Sequence, residues 1–343
     1  MSSYTATGTA CILSCSCLAL ETAVAILLNK NKSPVPPNLK DNSMTTAFEI
    51  LYDLAVRIQV DPRYQKLTAH HTESIATAEQ RLQASILKMI MPGEDIHSPW
   101  QITRIFCRNL VNRAQAPMSD TDMLDLMNRV EDRYTTDQER MKFLPAFSAS
   151  ELTTSRSRQI LSALEKFTSS VQIPSLGNKS YLDWVSQRWV YWVNKRIDQL
   201  DSEELLKDLN ILCKNKNTKI DGVGFALAAN FFADLGLTCF GKPDLHVTPI
   251  INLLQLRWGE QEAFEGLLKI SQQEAEKIRR NQRFTWLQAS GGLMPRHLDR
   301  IIYLVGSDNL NLNGLKNKRH APTRRSLIRQ AFIDGGIIKS DYQ

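Results

Sequence analysis

Apolar residues recur every three or four positions through most of the chain, and alternating β-branched runs are almost absent. That period belongs to helices, so the pattern predicts an all-α protein. Phe48, Leu51, Leu54, Ala55 and Ile58 form one stripe of a helix expected over 44–66. A second is expected over 70–91, ending near Met91-Pro92-Gly93. Further helices are expected over Trp100 to Asn112, over Ser119 to Tyr134 with Ser119 or Asp120 as cap, and over Glu151 to Ser169. Pro174 and Gly177 mark a break. Tyr181 to Ile197 then reads as an aromatic helix, holding Trp184, Trp189 and Trp192 with Gln187, Arg188, Lys195 and Arg196 between them. No internal repeat is present.

The next segment reads as helix, basic turn, helix. Asp201 or Ser202 is placed to cap a helix through Leu205, Leu206, Leu209 and Leu212. Lys214, Lys216 and Lys219 follow, then Ile220-Asp221-Gly222-Val223-Gly224. Gly222 and Gly224 permit the positive or tight backbone angles that a Cβ forbids. From Phe225, the recurrence of Leu227, Phe231 and Leu235 predicts a helix that Gly236 ends in the left-handed conformation. A helix start carries unpaired N–H groups and partial positive charge, so it suits a phosphate. Such a device reads the DNA backbone and carries no base specificity. A packed helix pair with no ligand has the same signature.

Lys242-Pro243-Asp244-Leu245-His246-Val247 follows the turn. Asp244 has two readings, a catalytic carboxylate and a helix N-cap, and they are compatible. His246 is expected to hold its loop by hydrogen bonds. Thr248-Pro249 reads as an N-cap with proline at the first helical position, which would start the helix four residues after an Asp244 cap.

Taken together, Ile220-Asp221-Gly222-Val223-Gly224 and Pro243-Asp244-Leu245-His246-Val247 resemble the helix-hairpin-helix DNA glycosylase superfamily, over about residues 200–260. Pro295 to Gly306 is similar to a late helix of some members; the first 170 residues match nothing in the group. The resemblance implies a two-lobed helical bundle with a DNA cleft between the lobes. It implies Asp244 as the catalytic carboxylate and the hairpin as a phosphate grip through Lys219, Gly222, Val223 and Gly224, with Lys242 beside it. Bifunctional members carry a lysine two residues after the second hairpin glycine; Ala226 stands there, so the resemblance implies a monofunctional enzyme. Lys219 or Lys242 remain the candidates for an amine nucleophile. A monovalent cation bound by hairpin carbonyls is possible in the family. The four-cysteine iron–sulfur cluster of some members is not expected, because no cysteine follows Cys239.

The chemistry stands without the family. Breaking an N-glycosidic bond builds positive charge on the sugar, and a fixed carboxylate in a water-poor site stabilises it. An extruded base is stacked on aromatics and read by hydrogen bonds. Trp184, Gln187, Trp192, Trp286 and Asp299 are candidates for that pocket. Each tryptophan has core packing as its competing use, and Asp299 has an ion pair with Arg296 or Arg300.

Composition adds little except in its distribution. At 343 residues the chain can bury one large core or two modest ones, and its net charge is +6. Lys316 to Arg329 holds Lys316, Lys318, Arg319, Arg324 and Arg325 without one acid, a phosphate-contacting surface or a solvated basic face. The six cysteines form no CxxC pair set; Cys11, Cys15 and Cys17 are a weak metal-binding signal in an apolar stretch, so no metal is expected and the thiols read as reduced and the protein as intracellular. Residues 10–28 lack a basic start and include Glu21, so neither a secretory signal nor a membrane span is expected. They read as a packed helix or as an extension upstream of a start at Met44. Ser33 to Asn38 reads as a linker.

The expected organisation is an extension and linker over 1–43, a helical lobe over 44–178, a glycosylase-like core over 179–330, and a tail over 331–343. The expected function is excision of a modified base from double-stranded DNA by a monomer, in repair or in defence against modified foreign DNA. A non-enzymatic DNA-binding module and a helical interaction protein are the competing classes.

Overall fold

The structure is a computed structural model that describes residues 45–60, 74–90, 169–255, 258–307 and 321–339, with Ile102, Ile105, Thr136, Glu139, Lys166 and Phe167 between them. Apart from Ile102, Ile105, Lys166, Phe167 and Ser169, the expected helices over 100–134 and 151–169 lie outside these residues, as do the linker, the cysteines before residue 200, and Lys316, Lys318 and Arg319. So does the side chain of Arg324.

The described residues are helical and contain no strand; one isolated bridge joins Ile173 and Lys179. The α-helices are α1 Ala47–Val60, α2 Ile75–Ile90, α3 Tyr181–Val193, α4 Ser202–Cys213, α5 Phe225–Asp234, α6 Val247–Gln255, α7 Glu260–Arg280, α8 Pro295–Gly306 and α9 Ala321–Asp334. No helix among them is long and apolar enough to cross a membrane.

Two apolar cores organise these helices. The first gathers Phe167 and residues from Leu176 to Phe240. The second gathers α1 and α2 with Val247 to Phe332. The N-terminal helices therefore pack against the C-terminal ones, and core membership cuts across a boundary at 178/179. α7 walls both cores: Phe264 and Leu268 enter the first, Ala263, Leu267, Ile270 and Ile278 the second. A helix apolar on two faces buries both by lying between layers. Its Glu274 accepts the first amides of α1, from Ala47 at 2.6 Å and Phe48 at 3.0 Å.

The chain crosses from one core to the other between Phe240 and Val247. Gly241 makes the crossing possible, since a Cβ there would lie 2.7 Å from Leu267 Cδ1 and 3.0 Å from the Pro295 carbonyl oxygen. Backbone cannot yield as a side-chain tip can. Gly241→Ala is expected to cost about 1–3 kcal/mol by overpacking. A urea midpoint equal to wild type would contradict the close approach.

α8 opens with Pro295 at its first position, as the sequence predicts. His297, fully buried, accepts from the Met294 amide at Nδ1 (3.0 Å), so Nε2 carries the proton and donates to Ser290 Oγ (2.8 Å). Burial holds the imidazole neutral, its pKa lowered from 6.5 to about 3. The unfolded chain takes up this proton below 6.5 and the folded one does not, so stability is lost as pH falls through that window. Asp299, pushed up from 3.8 to about 6 by burial, acts in the opposite sense between those values. The difference between wild type and His297→Gln isolates the histidine. The variant's acid-side slope is expected to be flatter by about 1.4 kcal/mol per pH unit; parallel slopes would refute it.

Candidate active site

Two features frame the site: the α4–α5 turn and the crossing segment. Asp201 caps α4, its Oδ1 accepting from the Glu203 amide at 3.0 Å. Beyond α4 the Ile220 amide returns to the Leu212 carbonyl (2.9 Å), and the Val223 amide closes a four-residue turn on the Ile220 carbonyl (3.1 Å). Gly222 sits in that turn at φ +82°, where a Cβ is disfavoured. Gly224 differs from expectation: at φ −88°, ψ 175° it holds the ordinary extended angles of an N-cap. Its missing side chain leaves the first turn of α5 uncapped. The amides of Gly224, Phe225 and Ala226 have no partner among the described residues. Val223 is buried and anchors the turn, while Gly222 and Lys219 are exposed. Gly236 takes φ +85° after α5, as expected.

Lys166 joins the turn from outside the motif. Its ammonium donates to the Lys219 carbonyl. Burial lowers its pKa, against the nearby Asp221 carboxylate. The hairpin carbonyls of Lys219 and Ile220 are thus both engaged by protein donors, and no group of three metal-ligating side chains occurs among the described residues. Ala226 is buried in the α5 core face, so the position of a bifunctional member's lysine holds a packed methyl group.

Asp244 caps α6. Its Oδ1 accepts from the His246 amide at 2.8 Å and the Val247 amide at 3.1 Å, and its carbonyl accepts from the Thr248 amide at 2.9 Å. Oδ2 has no hydrogen bond to another described residue. The Thr248-Pro249 start is therefore overturned. The helix begins at the Asp244 cap and runs through Pro249, and the Thr248 hydroxyl is buried without a partner. Pro249 has no N–H for the Leu245 carbonyl four residues back. The Arg325 guanidinium supplies that donor, at 3.1 Å.

His246 stands edge-on to Tyr303 (5.7 Å between ring centroids), with its Cβ beside Gly306. Burial lowers its pKa, helped by Arg325 and Lys242 and opposed by Asp244. Asp244, Lys242 and Arg325 are thus neighbours of one imidazole.

A buried cluster holds the crossing from beneath. Asp299 Oδ2 accepts from the Lys242 amide (2.9 Å) and from Arg296 Nη1 (2.7 Å). Arg296, fully buried, also donates Nη2 to Asp234 Oδ1 at the end of α5 (3.0 Å). The ion pair weighed for Asp299 is present, and through the same oxygen Asp299 also pins the backbone at Lys242.

The aromatic pocket candidates take core positions instead. Trp184 packs edge-on to Tyr181 and Phe232. Trp192 packs on Phe240 and donates Nε1 to Asp208 Oδ2 at 2.6 Å. Trp286 lies in the second core between Tyr52 and His297. Gln187 is exposed and bonds to Lys179. All three tryptophans are buried and packed in the two cores.

The turn and the crossing are close. Phe264 of α7 meets Phe225, the first residue of α5, at 5.7 Å and Phe240, beside Gly241, at 6.2 Å. One ring therefore separates the first residue of α5 from Phe240, four residues before Asp244. Lys166, Phe264, Arg296 and the bond from Arg325 have no sequence signature. Each acts on a residue more than 20 positions away that no local pattern links to it, Arg296 doing so through Asp234 in addition to its local pair with Asp299. No protein-family model matches the chain, and no curated protein or solved structure matches it.

Proposed function

We propose that the protein is a DNA N-glycosylase that extrudes a modified base from a duplex and hydrolyses its glycosidic bond. One observation carries this reading. Asp244 is fixed through one oxygen by two amides, the other makes no hydrogen bond to another described residue, and Lys242 and Arg325 are charged neighbours of the same turn. A carboxylate so held needs no reorganisation to face a developing cation.

The step balances simply. The C1′–N bond breaks and its electron pair leaves with the base. The free oxygen of Asp244 stabilises the positive sugar and accepts a proton from water as the water oxygen bonds to C1′. The proton then passes to the departing base or to solvent, and an abasic site remains. The amides at Gly224 to Ala226, which have no partner among the described residues, grip the neighbouring phosphate with Lys219 and Lys166 nearby. With Ala226 in place of a lysine the enzyme leaves the strand uncut. No metal or cofactor enters this scheme. The protein acts as a monomer on double-stranded DNA inside the cell, in repair or in defence against modified foreign DNA.

A second reading has its own support: Asp244 already serves as an N-cap, which is enough to explain an aspartate there in a non-enzymatic helix-hairpin-helix binder. Duplexes each holding one oxidised, alkylated, deaminated or hypermodified base separate the two. Strand breaks that appear only after hot alkali support a monofunctional glycosylase and identify its base. Breaks without alkali would mean that a lysine acts. Salt-dependent binding with no cleavage across the panel would favour the binder, and no binding would exclude both.

A further inference from the structure

The Asp244 turn is held by a bond that its own helix cannot make. In α6 the amide at position 249 would bond the Leu245 carbonyl, and Pro249 has none. That carbonyl belongs to the residue between Asp244 and His246. Arg325, 80 positions away on α9, fills the gap with Nη2 at 3.1 Å. The bond lies at the surface, with Leu245 68% exposed, so water is the competing partner for this carbonyl and what Arg325 adds is a fixed, charged donor tied to α9.

We infer that Arg325 is a positioning residue for Asp244, standing in for the amide that Pro249 removes and fastening the basic helix α9 to the Asp244 turn. The same guanidinium was expected from sequence to grip phosphate. Its engagement with Leu245 gives it a different job, and a DNA phosphate competing for it would loosen the turn. The positional claim rests on geometry. Its consequence for base release rests on the glycosylase reading, and the two are tested separately.

Hydrogen exchange over residues 241–250 tests the first in the full chain. Arg325→Gln is expected to speed exchange of that segment roughly tenfold, the worth of one charge-assisted bond. Pro249→Ala restores an amide four residues after Leu245. The pair Pro249→Ala with Arg325→Gln is therefore expected to exchange within about threefold of wild type. Arg325 is exposed, so the variants fold, and the remaining segments serve as the control. Unaltered exchange in Arg325→Gln, or an undiminished effect of that change beside Pro249→Ala, would overturn the assignment.

Single-turnover base release tests the consequence. A positioning role lowers the rate at saturating protein, with DNA affinity nearly kept and the rate recovered by Pro249→Ala. A weakened affinity with an unchanged rate would instead make Arg325 a phosphate contact and overturn the positioning role. If no duplex is cleaved at all, the glycosylase reading fails while the exchange result still decides the positional claim.

Discussion

Asp244→Asn is expected to slow base release by about 10²- to 10³-fold or more, with duplex affinity nearly unchanged, because it removes the charge that faces the developing sugar cation. The substitution keeps the shape of the side chain. Asparagine ranks with aspartate as an N-cap, so its oxygen can still accept from the His246 and Val247 amides. Folding should therefore survive. Asp244→Ala removes cap and charge together and is expected to cost about 1 kcal/mol of stability as well. Thermal melting and single-turnover cleavage, measured on both variants, separate the two functions of the residue. If Asp244→Asn cleaves like wild type, the carboxylate is a cap only and the glycosylase reading loses its catalyst.

Arg296→Met carries the largest expected cost to stability. The guanidinium is fully buried and bonds Asp299 and Asp234, and its removal strands Asp299 beneath the crossing. Breaking a buried pair by deleting one partner costs about 3–5 kcal/mol. The deficit has a pH signature. Burial already pushes the Asp299 carboxyl up to about 6, and Arg296 is among the groups that hold it down. Without Arg296 its folded pKa moves further above the unfolded 3.8. Protonated Asp299 is tolerated, so the variant is expected to be least impaired below pH 4. The loss should deepen as pH rises through the folded pKa. Urea unfolding at pH 4 and pH 8 measures this; a small deficit equal at both values would show that the cluster is not held together by charge.

What the sequence revealed and what it hid divide by range. The helix period, the Asp201 cap, Gly236 after α5 and Pro295 at the start of α8 are local and were legible. The helix–turn–helix around Gly222 was legible for the same reason. Thr248-Pro249 misled because it imitates a helix start, while the guanidinium that lets the helix run through Pro249 lies 80 positions away. The tryptophans show the limit of periodicity. A stripe says that Trp184 and Trp192 face one way, but not whether packing or a ligand meets them, and the rings of Phe232 and Phe240 decide it. Asp299 had a legible partner in Arg296, three residues away. That the pair would lie fully buried against Asp234, 62 residues upstream of Arg296, was not.

The two cores also set an order of assembly. Most of the first core comes from Phe167 to Phe240, a continuous stretch that includes the Gly222 turn. The second needs α1 and α2 together with residues as late as Phe332. On a chain emerging N-terminus first, α1 must wait until Phe332 has emerged before its apolar face is fully covered. The Gly222 turn can form long before the Asp244 segment is fastened, since Asp299 and Arg325 are both late residues. If the proposed glycosylase function holds, a partly made molecule would hold DNA without being able to act on it.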